Sequence, residues 1–554
     1  MVLVGEKFIH SMSDKATYMG FDLSTQQMKV LVINDELKIL HQASVMFDID
    51  LPEFRTRGGA NRIENSDVVT AKPLMWVKAL DMALDRLKAT GFDFGTVRSI
   101  SGSGQQHGSV FWRHGTRKKL QTLNPENPLH LELSESFALQ DSPIWMDSST
   151  TEYCKKLEET VGGPEKLAQI TGSRAYERFT GPQIAKIAHT KSDIYQTTER
   201  ISLVSSFVAS ILLGGYAPID LSDGSGMNLL NIWNREWSKE CLNSCGPDLQ
   251  SKLGQNPIPS TDVLGEISPY YVQRYGFNRT CKIVAFTGDN PASLVGMCLG
   301  ENDIGVSLGT SDTVFLWLKS PKPGVHGNIF CNPLCSTDWM SLLCFKNGSL
   351  TRERIRDECA NGHWDHFNKL VESTPPGNSG NIGFFFDCME IYPPLKGDFR
   401  FNAQNESVSS FSEAVEARAC IEGQFLRLRL HSELLGYETT SNGNEASIKV
   451  TGGASCNPVF LQILSDIFNR PVYRQPNANS ACLGGALMAK YAVCKDKISF
   501  KEMTYSLISD EKICDPSENS DLIYTPMVER YRILENRISR DTHHCEADDK
   551  NSML

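Results

Sequence analysis

Short apolar runs that end in polar or glycine-rich turns recur along the chain and predict the strands of an α/β protein. Such runs lie at residues 17–21, 28–33, 39–47, 97–100, 304–308, 314–318 and 448–450. A strand–turn–strand unit with small polar residues in the turn occurs once in each half of the chain. This repetition indicates a duplicated architecture.

Apolar positions with helical spacing alternate with these runs. Residues 73–89 place Trp76, Leu80, Leu84 and Leu87 on one face, which predicts an amphipathic helix packed on the core. Further helices are predicted at residues 151–161, 164–170, 199–213, 348–361 and 413–433, from Pro458, and from Thr525 and Pro526. In the last of these, Met527, Tyr531, Leu534 and Ile538 share a face.

Composition and charge narrow the class of protein. The chain has 554 residues, a formal net charge of −11 and 40% apolar residues, which is typical of a soluble globular protein with several domain-sized units. The acidic balance argues against nucleic acid as a partner. We expect no membrane span and no signal peptide, and therefore a cytoplasmic location.

Two tight turns at strand ends have the chemistry of phosphate-binding turns. They contain Asp22, Ser24, Thr25 and Gln26 in the first half, and Gly309, Thr310 and Ser311 in the second. A carboxylate there can hold a hydrated Mg²⁺, while N–H groups and hydroxyls can hold phosphate oxygens. The alternative for each is a polar hairpin turn, and the presence of two such turns favours phosphate.

Another strand end carries side chains suited to a polyhydroxylated ligand. The strand at residues 97–100 runs into SGSGQQHGS, where the glycines allow close backbone approach. Gln105, Gln106 and His107 supply neutral donors and acceptors of the kind a sugar needs. The residue pattern leaves His107 open between a ligand role and a structural one.

Asp289 follows the apolar residues 283–286 and precedes a predicted helix with Asn290 as its N-cap and Pro291 as its first residue. Ligands bind at such strand ends in α/β proteins. Asp289 is therefore either a general base for a substrate hydroxyl or an ordinary turn aspartate.

Two further features allow a binding and a structural interpretation. Gly452 and Gly453, between a strand and a helix, would let adenine or ribose lie against the backbone, or would serve close helix–strand packing. Arg178, in a polar loop at residues 171–183, could fork onto substrate hydroxyls or lie on the surface.

In order and content these segments resemble the FGGY carbohydrate kinases, and among them the xylulokinases. The matching segments are GFDLSTQQMK (20–29), SGSGQQHGSVFW (101–112), SPIWMDSST (142–150), GSRAYERFTGPQIAKI (172–187), TGDNPASL (287–294), SLGTSDTVF (307–315), FKNGSLTRERIRDEC (345–359) and TGGASCNP (451–458). The resemblance implies an α/β fold of two duplicated ribonuclease-H-like, actin-like ATPase domains with a cleft between them.

The order of these segments also predicts how the chain divides into domains, whereas it leaves the oligomeric state open. We expect an N-terminal extension at residues 1–16, a sugar-binding domain at 17–281 and a nucleotide-binding domain at 282–510. A helical tail at 511–554 would dock on the body and be frayed at its end. The protein would be a monomer or a homodimer.

The implied activity is ATP-dependent phosphorylation of D-xylulose to D-xylulose 5-phosphate, with Mg²⁺ as cofactor. Asp289 would be the base and, with His107, Arg178 and Asn290, would bind the sugar. The nucleotide would be bound by Trp364, Gly452, Gly453, Asn457 and the two turns, Ser24, Thr25 and Gln26 with Gly309, Thr310 and Ser311. Asp22 would hold the metal through water.

One departure from the family's sequence pattern and two alternative functions are left open by the sequence. Many relatives carry an arginine or Gly-Arg where this chain has Ser148, Ser149 and Thr150, which leaves a sugar role for the preceding Asp147 open. Another ketose or polyol, such as ribulose or glycerol, could be the substrate. Glycerol kinases carry an Arg-Glu pair where this chain has Gln106 and His107. The other alternative is a non-catalytic sugar-binding sensor.

Overall fold

The structure is a computed structural model and describes residues 16–438, 446–474, 479–507 and 511–552, with backbone alone at residues 506 and 543–552. The predicted N-terminal extension, apart from Ala16, and the last two residues of the predicted tail lie outside the described residues. Among the described helices, none is both long and apolar enough to cross a membrane.

The strands are as follows: β1 Thr17–Leu23, β2 Gln27–Asn34, β3 Ile39–Met46, β4 Asn61–Arg62, β5 Val69–Ala71, β6 Val97–Gly104, β7 Ser109–Arg113, β8 Ser142–Pro143, β9 Thr198–Leu203, β10 Leu230–Asn231, β11 Glu236–Trp237, β12 Val263–Glu266, β13 Lys282–Val284, β14 Thr287–Gly288, β15 Ile304–Leu308, β16 Asp312–Leu318, β17 Asn328–Cys331, β18 Trp339–Phe345, β19 Ile382–Phe386, β20 Gly397–Phe401, β21 Ile448–Thr451, β22 Val472–Arg474 and β23 Glu511–Cys514.

The α-helices are as follows: α1 Phe47–Asp50, α2 Pro73–Ala89, α3 Thr116–Gln121, α4 Leu129–Glu132, α5 Thr151–Val161, α6 Pro164–Thr171, α7 Thr180–Thr190, α8 Ser192–Gln196, α9 Val204–Leu213, α10 Leu221–Gly224, α11 Lys239–Cys245, α12 Leu249–Leu253, α13 Pro269–Tyr275, α14 Asp289–Gly296, α15 Ser349–Ala360, α16 Trp364–Glu372, α17 Glu413–Leu434, α18 Pro458–Phe468, α19 Ser480–Cys494, α20 Phe500–Thr504 and α21 Ser520–Ser552.

The described residues divide into two compact units. The first lies within residues 1–298, 323–339 and 479–508, and the second within residues 299–322, 340–478 and 509–554. This division differs from the predicted boundary at residue 282, because β13 pairs with β6 and α19 packs on β1 and β6 of the first unit. The predicted functional domains and the frayed end of the tail stay predictions.

The first unit is organised around a sheet in which neighbouring strands follow the order β12-β13-β6-β1-β2-β3. β1 is antiparallel to β2 and parallel to β6, with Asp22 opposite Ser103. β14 also pairs in parallel with the end of β6, with Gly288 opposite Gly104. The carboxyl ends of β1, β6 and β14 therefore meet at one edge of the sheet.

The second unit repeats this arrangement with strands in the order β18-β16-β15-β21-β22-β23. β15 is antiparallel to β16 and parallel to β21, and β22 is parallel to β21 and antiparallel to β23. The central strands thus have the same order and directions in both units. The predicted duplicated α/β architecture is confirmed.

Most predicted elements are found, and two require correction. The predicted helix at residues 199–213 begins only at Val204, because Thr198–Leu203 forms β9 and pairs antiparallel with β7. The predicted helix start at Thr525 and Pro526 is wrong: α21 begins at Ser520 and contains Pro526. Tyr524, about one turn after the start of this helix, is fully buried.

Candidate active site

Asp22, at the end of β1, is a buried carboxylate at the sheet edge. Its side chain accepts hydrogen bonds from Ser24 Oγ at 2.6 Å and from Ser103 Oγ at 3.0 Å. Lys29 Nζ lies 3.9 Å from Asp22 Oδ2. Burial raises the pKa of Asp22, while the two hydroxyls and Lys29 oppose that rise. Both oxygens are already bonded within the protein.

The first predicted phosphate turn connects β1 and β2. Ser24 N–H donates to the Gln27 carbonyl at 3.0 Å, which closes the turn. Trp145 Nε1 donates to Thr25 Oγ1 at 2.9 Å. Gly59 packs so closely on the turn that a Cβ atom there would lie 1.9 Å from the Thr25 carbonyl oxygen. The contacts with Trp145 and Gly59 therefore hold the turn in one conformation.

Asp289 is the first residue of α14, and Gly288 is its N-cap. The predicted N-cap at Asn290 is therefore two residues too late, although the strand-to-helix corner is where the sequence placed it. Asn290 N–H donates to Asp289 Oδ1 at 2.9 Å, and Asn290 Nδ2 lies 3.2 Å from the same oxygen. The carboxylate is bonded by the amino-terminal end of a helix, where negative charge is favoured.

The electrostatic environment gives Asp289 the proton affinity of a general base. Burial, with a smaller contribution from the charge on Asp22, raises the pKa of Asp289 to about 7, against hydrogen bonds from the backbone of Asn290 and Gln106. A carboxyl with this pKa can exist in either protonation state near neutral pH.

His107 has the left-handed backbone conformation, with φ of 69°, and is buried. Its Nδ1 lies 2.8 Å from the Gly226 carbonyl oxygen, and its ring stacks on Phe179 at 4.3 Å. Burial and the charge of Arg178 lower the pKa of His107 to about 3. The neutral ring therefore donates from Nδ1 to the carbonyl, which makes Nε2 a hydrogen-bond acceptor.

Arg178 belongs to the same part of the first unit. Its guanidinium lies over the ring of Tyr176 at 4.9 Å and over the ring of Phe179 at 5.5 Å. Phe179 is thus a shared partner of Arg178 and His107. The structure brings together the predicted residues Asp289 and Asn290 in one hydrogen-bonded group, and His107 and Arg178 in another.

The sequence analysis did not single out Asp223. Residues 220–228 are rich in glycine and serine, and the structure has the short helix α10 there, capped by Asp220. Asp223 is buried and its Oδ1 has no hydrogen-bond partner. The buried amide of Gln105 also lacks partners at both polar atoms, as does Gln106 Nε2. Such orphaned groups indicate a bound ligand or water.

Asp147 has a structural environment. Its carboxylate accepts bonds from Val69 N at 3.1 Å, Ser149 N at 3.0 Å and Gln183 Nε2 at 2.8 Å, and also from Ser149 Oγ. Three of these bonds are made by Oδ1 and one by Oδ2, and together they hold Asp147 in its own turn. A sugar role for Asp147 stays an untested alternative.

The second unit contains a cavity of about 670 Å³ at the ends of β15 and β21. Five of the predicted nucleotide residues line it: Gly309, Thr310, Trp364, Gly453 and Asn457. Lining residues that the sequence analysis did not predict include Asn368, Cys456 and Phe460. The predicted Ser311 and Gly452 are not among the residues that line it.

The cavity is bounded by a glycine pair on one side and by the N-terminus of α18 on another. A Cβ atom on Gly453 would meet nothing within 4 Å, so the backbone is open to a ligand there, whereas Gly452 has φ of 90° and packs on Leu308. Asn457 is the N-cap of α18, accepting from Val459 N at 3.1 Å, and its Nδ2 donates to Asn368 at 3.0 Å. A helix N-terminus and an open glycine suit a nucleotide.

The second predicted phosphate turn is anchored by a buried ion pair. Arg352 donates to both carboxylate oxygens of Asp312, at 2.7 Å and 2.9 Å, and to Gln424 Oε1 at 2.8 Å. Gly348, before α15, leaves no room for a Cβ atom, which would lie 2.7 Å from the Thr310 carbonyl oxygen. This packing fixes residues 309–312 against α15.

The residues present fit ATP and a metal held largely by ATP. Among the described residues, no group of three or more His, Cys, Asp or Glu side chains could hold a metal ion. Mg²⁺ commonly keeps several waters and binds through one carboxylate and substrate phosphates. Asp22, with both oxygens already engaged by hydroxyls, suits contact through water.

Comparison with known proteins places this geometry in a family. Residues 135–296 match the N-terminal domain of the FGGY family of carbohydrate kinases, and residues 304–493 match its C-terminal domain. The chain is 52% identical over 521 residues to the xylulose kinase of Mus musculus, covering 94% of each chain. It is 45% identical to xylulose kinase 2 of Arabidopsis thaliana, covering 88% of this chain and 90% of that one.

A solved structure has the same fold. The crystal structure of xylulose kinase from Rhodospirillum rubrum matches with a TM-score of 0.78 and 14% identity, covering 95% of this chain and all of that one. The predicted two-domain α/β fold is thereby confirmed. From the two matched domains and the identity to curated relatives, the chain belongs to the FGGY family of carbohydrate kinases.

Proposed function

We propose that the protein transfers the γ-phosphoryl group of ATP to the terminal hydroxyl of D-xylulose, giving D-xylulose 5-phosphate and ADP. The observation that carries this proposal is Asp289, a carboxyl with a pKa of about 7 beside neutral amides, in a chain 52% identical to a xylulose kinase. The identity favours D-xylulose over another ketose or polyol, and an intact base favours a kinase over a sensor.

The sugar is bound by residues of the first unit. His107 Nε2 and Asn290 Oδ1 accept hydrogen bonds from sugar hydroxyls, and Arg178 donates to a sugar oxygen. Since D-xylulose carries no charge, affinity and orientation depend on such hydrogen bonds rather than on an ion pair. The stacking of His107 on Phe179 fixes the plane of the imidazole, so its acceptor direction is set before the sugar arrives.

Asp289 acts as the general base. It takes the proton of the attacking hydroxyl while that oxygen forms a bond to the γ-phosphorus and the bond to the ADP oxygen breaks. General base catalysis of this kind contributes about 10²–10⁴-fold to a rate. In-line positioning and neutralisation of phosphate charge supply the rest.

The nucleotide is bound in the cavity of the second unit. The adenine of ATP lies between Trp364 and the open backbone at Gly453, and its phosphates extend toward Gly309, Thr310 and Ser311. Ser24, Thr25 and Gln26 stay the sequence-based prediction for further phosphate contacts. Asp22 would hold Mg²⁺ through water, and the ion would supply charge neutralisation. Gly452 and Asn457 support this site through backbone conformation and helix capping.

A coupled assay of ADP release across pentuloses, hexuloses and glycerol tests the substrate. We expect the highest kcat/KM with D-xylulose, and a higher value with ribulose or glycerol would contradict the proposal. Asp289→Ala should lose at least about 10²-fold in kcat while retaining ADP binding by calorimetry. Retained turnover in that variant would show that another group is the base.

We also propose a cytoplasmic location and a monomeric or homodimeric state, as expected from the sequence. Size-exclusion chromatography with light scattering distinguishes the two states.

A further inference from the structure

A chain of buried polar side chains leads away from Asp289. The side-chain nitrogen Nδ2 of Asn290 lies 3.2 Å from Asp289 Oδ1 and donates to Gln106 Oε1 at 2.8 Å. Because Oε1 of Gln106 faces Asn290, its Nε2 must face another direction. Gln106 is 3% exposed and its Nε2 has no hydrogen-bond partner of good geometry.

Asp223 provides the complementary acceptor. It is 1% exposed, its Oδ2 is 2.6 Å from Ser205 Oγ, and its Oδ1 has no partner. A Cβ atom on Gly288 would lie 2.9 Å from Gln106 Cδ and 2.8 Å from Asp223 Oδ1. The orphaned donor and the orphaned acceptor therefore converge on one point beside the N-cap of α14. A small adjustment of either side chain joins them.

We infer that Gln106 and Asp223 are positioning residues, which hold Asn290, and through it the Asp289 carboxylate, in the orientation that receives the proton of the sugar hydroxyl. This inference rests on the proposed function. Neither residue touches the reacting atoms. Gly288 is required by the same arrangement, since any side chain there would separate Gln106 from Asp223.

The surroundings of Asp223 disfavour its charged form. Burial raises the pKa of Asp223 well above its usual range, and the neighbouring carboxylates of Asp220 and Asp289 raise it further, against hydrogen bonds from Ser205 and Gln106. Ser205 Oγ donates to Oδ2 at 2.6 Å, which leaves Oδ1 to accept from Gln106 Nε2.

The test compares Gln106→Met, Asp223→Leu and Asp223→Asn with the matched control Gln183→Met. Gln183 is an equally buried glutamine of the first unit, 2% exposed, whose amide is bonded to Asp147 and the Glu177 carbonyl. For each protein, kcat and KM for sugar and ATP, the pH profile of kcat/KM and Tm are measured with the best sugar of the panel.

We expect Gln106→Met and Asp223→Leu to lower kcat by about 10–100-fold, as a displacement near 1 Å can, with KM for ATP unchanged. The acid limb of the pH profile moves to higher pH, because the charged form of Asp289 loses the support of an oriented Asn290. Asp223→Asn retains kcat within about threefold, since an amide can present its oxygen to Gln106 and its nitrogen to Ser205. Gln183→Met lowers Tm without moving the acid limb.

Distinct outcomes overturn distinct statements. If Gln106→Met behaves like Gln183→Met, the positioning role is wrong, and this variant decides the matter even if Asp223→Leu does not fold. If Asp223→Asn is as damaged as Asp223→Leu, the role of Asp223 Oδ1 as acceptor for Gln106 is wrong. If Asp289→Ala remains active, the proposed role of Asp289 as the base fails, whereas an inactive Asp289→Ala with normal Gln106→Met rejects the positioning role alone.

Discussion

The raised pKa that suits Asp289 to act as a general base also makes its ionised form unfavourable for folding. Its pKa is raised to about 7 in the folded protein, whereas an aspartate in the unfolded chain titrates near 3.9. Between these values the folded state binds the proton and the unfolded state does not. Stability therefore falls as pH rises from about 4 to 7, and the ionised carboxylate destabilises the fold above that range.

Replacement of Asp289 by asparagine should therefore remove this penalty while removing the base. We expect Asp289→Asn to be inactive and to have a Tm higher than the wild type by about 2 °C or more at pH 8, with a smaller difference at pH 5. Calorimetry at both pH values measures this. The opposite order, with a larger gain at pH 5, would contradict the raised pKa.

Candidate site residues at strand ends could be predicted from the sequence, because an apolar run followed by a polar turn marks where a strand ends. Asp22, His107 and Asp289 were found in this way. Asp223 could not be, since its surroundings are Gly/Ser-rich and the relevant contact with Gln106 joins positions far apart in sequence. Their orphaned atoms become visible only when the burial of each side chain is known.

At the scale of elements, the second predicted phosphate turn depends on α15. Arg352 is 1% exposed and forms a two-pronged pair with Asp312 that also reaches Gln424. Lysine has a single charged group and cannot reproduce this planar contact.

We expect Arg352→Lys to lower the free energy of unfolding by about 1–3 kcal/mol and to raise KM for ATP about tenfold, because residues 309–312 lose their anchor. Arg354→Lys is the matched control: it is on the same helix, but its pairs with Asp387 and Asp398 are 25–33% exposed, and such pairs contribute little. Denaturant unfolding and ATP titration of the rate measure both effects. Equal behaviour of the two variants would argue against the anchor.

Element boundaries were predictable where local signals and tertiary packing agree. α2 begins and ends at the predicted residues, with a proline in its first turn and a continuous apolar face. β9 was missed because the pairing of Thr198–Leu203 with β7 is a long-range contact. At α21, the burial of Tyr524 overrides the local signal of Pro526 to begin a helix.

At the scale of the molecule, residues 511–552 complete the second unit. β23 adds the edge strand beside β22, and α21 packs on α17. Tyr524 donates to Glu422 at 2.7 Å, and the ring of Tyr531 lies 4.2 Å from that of Phe384. The tail that the sequence analysis predicted to dock on the body is thus part of a core.

We expect Tyr531→Ala to lower the free energy of unfolding by about 3–5 kcal/mol, as truncation of a buried aromatic residue does, and to weaken ADP binding at 37 °C more than at 15 °C. Ile533→Ala, on the exposed face of α21 with 50% exposure, should change stability by less than about 0.5 kcal/mol. Thermal unfolding with and without ADP measures both. A Tm for Tyr531→Ala equal to that of Ile533→Ala would show that α21 is dispensable.

The packing of α19 also has a consequence for how the protein is made. Gly484 approaches α14 so closely that a Cβ atom would lie 1.9 Å from the Ala292 carbonyl oxygen, and Gly20 on β1 leaves no room beside Cys482. The first unit therefore lacks an interior helix until residues 480–494 leave the ribosome, roughly 180 residues after α14. At ribosomal rates of about 5–20 residues per second, this nascent unit waits on the order of 10–40 s with an apolar surface uncovered. A chaperone that binds such surfaces has its longest opportunity during that interval.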